Sequence, residues 1–319
     1  MKVQSHPSGT APVLGAGRSS TEVKEAYRRA LAGTSVRDRY IGHGAGGQVH
    51  LLEKGSGPPV VLLHGTGDPA GFFLPLLEAL DGVRVMAPER PGIGLSDPLE
   101  LPRRGYWEAA VRWLDGLLDA LDLDTTALVG HSGGGVWALR YALARPDRVS
   151  RLTLMGVPTL PGTRCPVPIR VMATPALGAF VRRLVPPSPR ALMQLARVVG
   201  EGETLGAHPE LVDLVVAVAR DPVGYRATRE ELRALVSPLA LLSLRGFRRR
   251  DRVRPEDLNR LPMPTTVIWG ERDPVGSIAV ARGVTSLIPD ARLVVLPTGH
   301  GPWLGEPTRT ATAVADSVR

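Results

Sequence analysis

A chain of 319 residues, 43% apolar and 22% charged, has the material for one large packed domain with room for a substantial insertion. Its formal charge of +8 rests on 36 arginines against three lysines, spread along the chain beside only 4% aromatic residues, which argues against a nucleic-acid surface. Cys165 is the only cysteine, so an intramolecular disulfide is excluded and nothing pairs with it as a metal site. No run approaches the roughly 18 apolar residues of a membrane span, and the N-terminus shows no apolar signal region. The expectation is a soluble cytoplasmic protein with no membrane or nucleic-acid partner and no metal or organic cofactor; a homo-oligomer is left open.

Residues 1–18, rich in Gly, Pro and Ser, read as a loose tail. "SSTEVKEAYRRALAG" predicts a short helix, with Ser19 and Glu22 at capping-box spacing and Gly33 as its stop. "DRYIGHGAGGQVHLLEKGSG" reads as a hairpin about a Gly-rich turn. From Pro59 continuous apolar runs alternate with helical spacing. "PVVLLHG" (59–65), "VRVMAPE" (83–89), "TALVGH" (126–131) and "VSRLTLMG" (149–156) suit strands buried on both faces of a parallel sheet. "AGFFLPLLEAL" and "RGYWEAAVRWLDGLLDAL" supply helices between them, which makes βαβ units of a three-layer α/β domain.

Between about Val157 and Leu261 the rhythm breaks. Pro and Arg become frequent, and "RALMQLARVV" (190–199), "PELVDLVVAVA" (209–219) and "ATREELRALVSPLALLSL" (227–244) read as helices. The concentrated basic stretch there, "RGFRRRDRVR" (245–254), reads as a solvated loop face. "PTTVIWGERD" (264–273) and "ARLVVLPTGH" (291–300) then resume the strand pattern. The chain thus divides into a tail and short helix over 1–36, a core over 37–156 and 262–319, and a helical insertion over 157–261.

Gly130-His131-Ser132-Gly133-Gly134 is G-x-S-x-G between a predicted strand and a predicted helix. A nucleophile on so sharp a turn needs strained backbone angles and close approach of neighbouring segments, and the helix start aims free N–H groups at developing negative charge. A serine hydroxyl needs a base, and the base needs an orienting carboxylate. Asp273 comes after one late strand and His300 after the last, in the order Ser, Asp, His. Glu271 is the rival acid. Of seven histidines, His300 is the one placed on a loop directly after a late strand. For the oxyanion hole, "HGTG" after the first parallel strand offers the Thr66 N–H, joined by that of Gly133.

On these stretches the chain resembles the α/β-hydrolase fold superfamily, in its form with a helical cap, over residues 37–319. "HGTG" resembles the family's H-G-x-G turn. "ERPGIGLSDP" resembles its R-x-G-x-G-x-S turn, with Glu89 where Asp is commoner. "GHSGGG", "WGERDP" and "GHGPWLGEP" resemble the nucleophile, acid and histidine loops. Two departures stand out. Gly133 replaces a commonly bulky residue, which predicts a widened acyl pocket, and Glu306 lies one position later than usual. The resemblance implies a serine hydrolase cleaving a carboxylic ester of a small to medium apolar substrate through an acyl-enzyme. The alternatives are C–C hydrolysis of a vinylogous diketone, thioester cleavage or acyl transfer, and cofactor-free perhydrolysis; a non-catalytic ligand receptor ranks last. The insertion is expected to roof the site, with Leu192, Met193 and Leu211 among its lining residues.

Overall fold

The computed structural model describes residues 20–318 apart from Ala45, Arg103 and Leu244. The hairpin folds as β1 (Arg37–Gly42) and β2 (Gln48–Lys54), and the apolar runs become β3 (Pro59–Leu63), β4 (Arg84–Pro88), β5 (Thr126–His131), β6 (Val149–Met155), β7 (Thr265–Gly270) and β8 (Ala291–Leu296). They form one eight-stranded sheet in the order β1-β2-β4-β3-β5-β6-β7-β8. β1 and β2 are antiparallel, and every pairing from β4 to β8 is parallel.

Strand residues alternate between two cores, which is why successive positions in these runs are apolar. In β3, Val61 and Leu63 face one core while Val60 and Leu62 face the other. The first core is closed by α3 (Tyr106–Ala120), α4 (Ser132–Ala144) and α12 (Ile278–Thr285). The second is closed by α1 (Thr21–Leu31), α2 (Leu74–Ala79), the short α13 (Pro302–Gly305) and α14 (Pro307–Val318). Fully burying a Val or Leu side chain contributes about 1.5–3 kcal/mol, so these two layers carry most of the fold's stability. Helix α1 is capped one residue later than expected. Ser20 Oγ accepts from Val23 N–H, whereas Ser19 and the tail before it lie outside the described residues.

Between β6 and β7 the chain builds α5 (Val167–Ala173), α6 (Pro175–Leu184), α7 (Pro189–Val198), α8 (Gly202–Gly206), α9 (Pro209–Arg220), α10 (Pro222–Leu235) and α11 (Pro255–Leu258). The prolines that interrupt the sequence pattern start helices instead. Pro175, Pro189, Pro209 and Pro222 each stand at the first helical position, where no N–H is needed and the fixed φ suits the turn. Helices α5 and α6 are hidden in sequence for that reason. The helix expected over 227–244 begins five residues earlier and stops at Leu235, short of Pro238. Helix α9 packs on α1, and Leu211 and Leu214 share the second core with Val23 and Ala26, so the N-terminal helix is clamped to this segment. An Arg220–Glu22 ion pair at 2.8 Å lies at the same seam. No described helix is long and apolar enough to cross a membrane.

Candidate active site

The parallel strands end at one edge, and register decides which loops meet there. Leu63 of β3 pairs with Gly130 of β5, so Thr66 and Gly133, each three residues further on, emerge side by side. Gly270 of β7 pairs with Leu296 of β8, which brings the loops bearing Asp273 and His300 together. β6 lies between the two pairs.

Ser132 occupies the strand-to-helix corner with φ +48°, a left-handed conformation that a non-glycine residue adopts only under constraint. The strain sits on the serine itself, and the glycines serve close approach. A Cβ on Gly134 would collide with the carbonyl oxygens of Leu63 and His64, so glycine lets α4 press onto the end of β3. Gly156, at φ +54°, plays the matching part after β6. A Cβ there would stand 2.9 Å from both Asp273 Oδ2 and His300 Nδ1.

His300 Nδ1–H donates to Asp273 Oδ2 at 2.9 Å, and Asp273 Oδ1 accepts from Val275 N–H at 2.8 Å. The Asp273 side chain is fully buried and that of His300 is 13% exposed. Glu271, the rival acid, is exposed. Burial opposes the imidazolium, but the Asp273 carboxylate outweighs it, with Asp68 and Glu201 adding to it, so His300 titrates above the ordinary histidine value. Ser132 and His300 line one cavity of about 200 Å³ together with Thr66. Its remaining lining is mostly apolar and comes largely from the segment between β6 and β7, including Ile169, Met172, Leu192, Leu195, Leu232 and Leu235. Leu192 therefore lies where it was expected. Met193 and Leu211 do not line the cavity and belong to the second core.

The widened pocket expected from Gly133 is not found. The space a side chain would take is filled by Thr66 Oγ1, with Glu231 Oε1 2.9 Å from the Cβ position and Thr66 N 3.1 Å away. Glycine here allows two polar groups to close on the helix start. Gly133 N–H is among the first N–H groups of α4, which have no intrahelical acceptor. Glu231, 3% exposed, accepts from Arg90 Nη1 at 2.5 Å and from Trp137 Nε1 at 3.1 Å. Arg90 Nη2 donates to the Gly65 carbonyl at 2.8 Å, and Arg90 N–H donates to His64 Nε2, which leaves the His64 proton on Nδ1. The ion pair thus braces the turn that carries Thr66.

Further residues of the site are not singled out by the sequence reading. Glu201 is 3% exposed, and its Oε1 accepts from Gly301 N–H at 2.9 Å while the Val199 carbonyl accepts from His300 N–H at 3.0 Å. The segment between β6 and β7 therefore grips the histidine loop directly. Asp68, partly buried on the cavity wall, is pushed up by burial to about 6. His131 Nε2–H donates to the His300 carbonyl at 3.0 Å, and its buried Nδ1 has no partner. Asp68 stands in "HGTGD" beside the predicted oxyanion turn, where its position could have marked it; nothing local marks Glu201 or Glu231.

A family model described as the alpha/beta hydrolase family matches residues 60–313. The chain belongs to that family. It is similar to the 2-hydroxy-6-oxo-6-phenylhexa-2,4-dienoate hydrolase of Burkholderia cepacia, at 29% identity over 262 residues covering 79% of this chain and 85% of that protein. Among solved structures it resembles the meta-cleavage product hydrolase CumD of Pseudomonas fluorescens IP01, with TM-score 0.68, 25% identity, and coverage of 87% and 96%. It also shares its fold with carboxylesterase CesB of Bacillus subtilis, with TM-score 0.72, 20% identity, and coverage of 93% and 96%.

Proposed function

We propose that this α/β hydrolase cleaves an acyl substrate through a covalent acyl-enzyme on Ser132. The observation that carries the reading is the His300–Asp273 pair at 2.9 Å on a cavity whose wall includes Ser132 at its strained corner. Ser132 Oγ attacks the carbonyl carbon and passes its proton to His300 Nε2. Asp273 holds the Nδ1–H tautomer, and the N–H groups of Thr66 and Gly133 receive the oxyanion. Collapse expels the leaving group, which takes the proton from His300. Water, deprotonated by the same imidazole, then frees the acid and restores the serine.

Two substrate classes fit this sequence of steps. The relatives favour the first, a vinylogous diketone whose carbon–carbon bond is broken, because the leaving group is then a conjugated enolate that His300 can protonate. The cavity favours the second, an uncharged ester. Among the described residues its lining holds the carboxylates of Asp68 and Glu201 and no arginine or lysine to receive a dienoate carboxylate. The residues from the segment between β6 and β7 act in both cases as an apolar cap that keeps bulk water from the acyl group. The test is a parallel assay of 2-hydroxy-6-oxo-dienoates, monitored by loss of their absorbance, and of p-nitrophenyl esters from acetate to octanoate. Turnover of the dienoates by a factor of about 100 or more over the esters selects the first class, and the reverse selects the second. Ser132→Ala should lose on the order of 10⁴–10⁶ in kcat on either, with its fold retained, and should take no fluorophosphonate label. A wild-type enzyme that takes no label at any pH would refute the nucleophile.

A further inference from the structure

A second hollow, larger than the catalytic cavity, lies beside it. A cleft of about 730 Å³ opens where the loop after β6, helix α4 and residues 245–257 meet. Phe247 lines both this cleft and the catalytic cavity, so the two are neighbours across one wall. Arg140, Arg245, Arg249, Arg250, Arg252 and Arg254 line the cleft, against a single carboxylate, Asp257. The basic stretch is exposed at Arg245, Arg249, Arg250 and Arg254, as a solvated loop face would be, and it also curves around a concavity.

The charges there are unevenly answered. Asp257 pairs with Arg254 at 3.1 Å, and Asp251 lies 3.4 Å from Arg250 while accepting from Trp107 Nε1. Among the described residues no carboxylate reaches ion-pair distance of Arg140, Arg245, Arg249 or Arg252. Burial lowers the pKa of Arg252, and Arg245 and Arg249 lower it further by repulsion. Arg140 is lowered by burial too, with its guanidinium 4.7 Å from the Trp107 ring and Nη2 donating to the Asp251 carbonyl. Three buried polar atoms on the lining have no hydrogen-bond partner: Arg140 Nε, Arg252 Nε and Thr159 Oγ1. Thr159 is 1% exposed and sits at φ +71°, an unfavourable conformation for a β-branched residue. A buried polar group without a hydrogen bond is costly, and three beside one cleft mark a wall that a ligand would satisfy after a small side-chain shift.

We propose that this cleft is a second binding site, for a small phosphorylated anion. Guanidinium forks match phosphate oxygens bidentately, and a phosphoryl group brings up to two charges and three acceptors to a site where Arg140, Arg245, Arg249 and Arg252 lack a carboxylate partner. The volume is that of a small-molecule site. Phe247, 4% exposed, is the only aromatic residue among those lining the cleft and offers no face for stacked bases, which sets single-stranded nucleic acid aside.

The site does not depend on the hydrolytic reading, and its test measures heat rather than turnover. The full chain is titrated calorimetrically at fixed ionic strength with inorganic pyrophosphate, with ATP and with a single-stranded DNA of about 20 nucleotides. Saturable one-to-one binding of pyrophosphate is expected, and tighter ATP binding would show that the organic carrier adds contacts. Arg245→Gln with Arg249→Gln, both exposed side chains, should weaken pyrophosphate by about tenfold or more. Thr159→Val should weaken it by about two- to fivefold, and hydrolysis of p-nitrophenyl acetate should stay unchanged in both variants. No saturable binding, variants that bind as wild type, or DNA bound more tightly than pyrophosphate would each overturn the proposal.

Discussion

The strand ends and the segment between β6 and β7 wall the same cavity, yet they are held in very different ways. β5 and β7 are buried at every position, and the loops after them are fixed by register on both sides. Helix α5 buries no residue and α6 only Gly178, while α9 buries seven. The groups proposed to react therefore sit at the ends of strands that are buried along their whole length. The side chains proposed to measure the substrate come in part from elements with less packing behind them, α5 and α7. Chemistry and selectivity should accordingly respond to mutation in different regions.

The sharpest test of the rigid side is the acid. Asp273→Asn should lose on the order of 10⁴ in kcat because the wrong tautomer is favoured, whereas Glu271→Gln should stay within a few-fold of wild type. The pH profile reports the same contact. Because Asp273 raises His300, the acid limb of kcat/KM should lie above the ordinary imidazole value of about 6.5 and move down in Asp273→Asn. A limb unmoved by the substitution would mean that another group titrates.

Gly133→Ala comes next. The new methyl group would strike Thr66 Oγ1 and displace one of the two proposed oxyanion donors, so kcat should fall by about 10²–10³ with KM little changed. If Gly133 only made room for substrate, small esters would be unaffected and long ones excluded.

The side built between β6 and β7 is sharpened by a pair of leucines. Leu192→Phe narrows the cavity and should shift ester preference towards shorter acyl chains by about tenfold or more in kcat/KM, with acetate nearly unaffected. Leu211→Ala lies away from the cavity at the seam with α1. It should cost about 2–4 kcal/mol of stability and leave chain-length preference alone. A preference shift in Leu211→Ala would dissolve the distinction between the two positions.

The smallest expected effect belongs to Asp68. Its pKa, raised to about 6 by burial, lies above the roughly 3.9 of an unfolded aspartate. The native state binds that proton more tightly than the unfolded chain, so this stability is full below about pH 4 and is lost as pH rises through about 6. Asp68→Asn should thus be more stable than wild type near pH 8 by about 1 kcal/mol, discounted for partial exposure, and no more stable near pH 3.5. Equal melting temperatures for the two proteins at both pH values would show that the carboxylate is solvated.

The sequence by itself determined whatever depends on local pattern. The runs of β3 to β7 are mainly apolar at successive positions because two cores flank them, and that signature survives without coordinates. That Ser132, Asp273, His300 and Thr66 would meet was legible because each stands just past the end of a strand, and parallel strands deliver their trailing loops to one edge. Tertiary structure alone decided the rest, because those contacts join residues far apart in the chain. Glu201 meets Gly301 across 100 positions, and Arg90 meets Glu231 across 141. No periodicity encodes such a meeting. Gly133 shows the same limit at a single residue: its missing side chain reads in sequence as empty space, and only the packing of β3 and α10 against α4 shows that Thr66 and Glu231 occupy it.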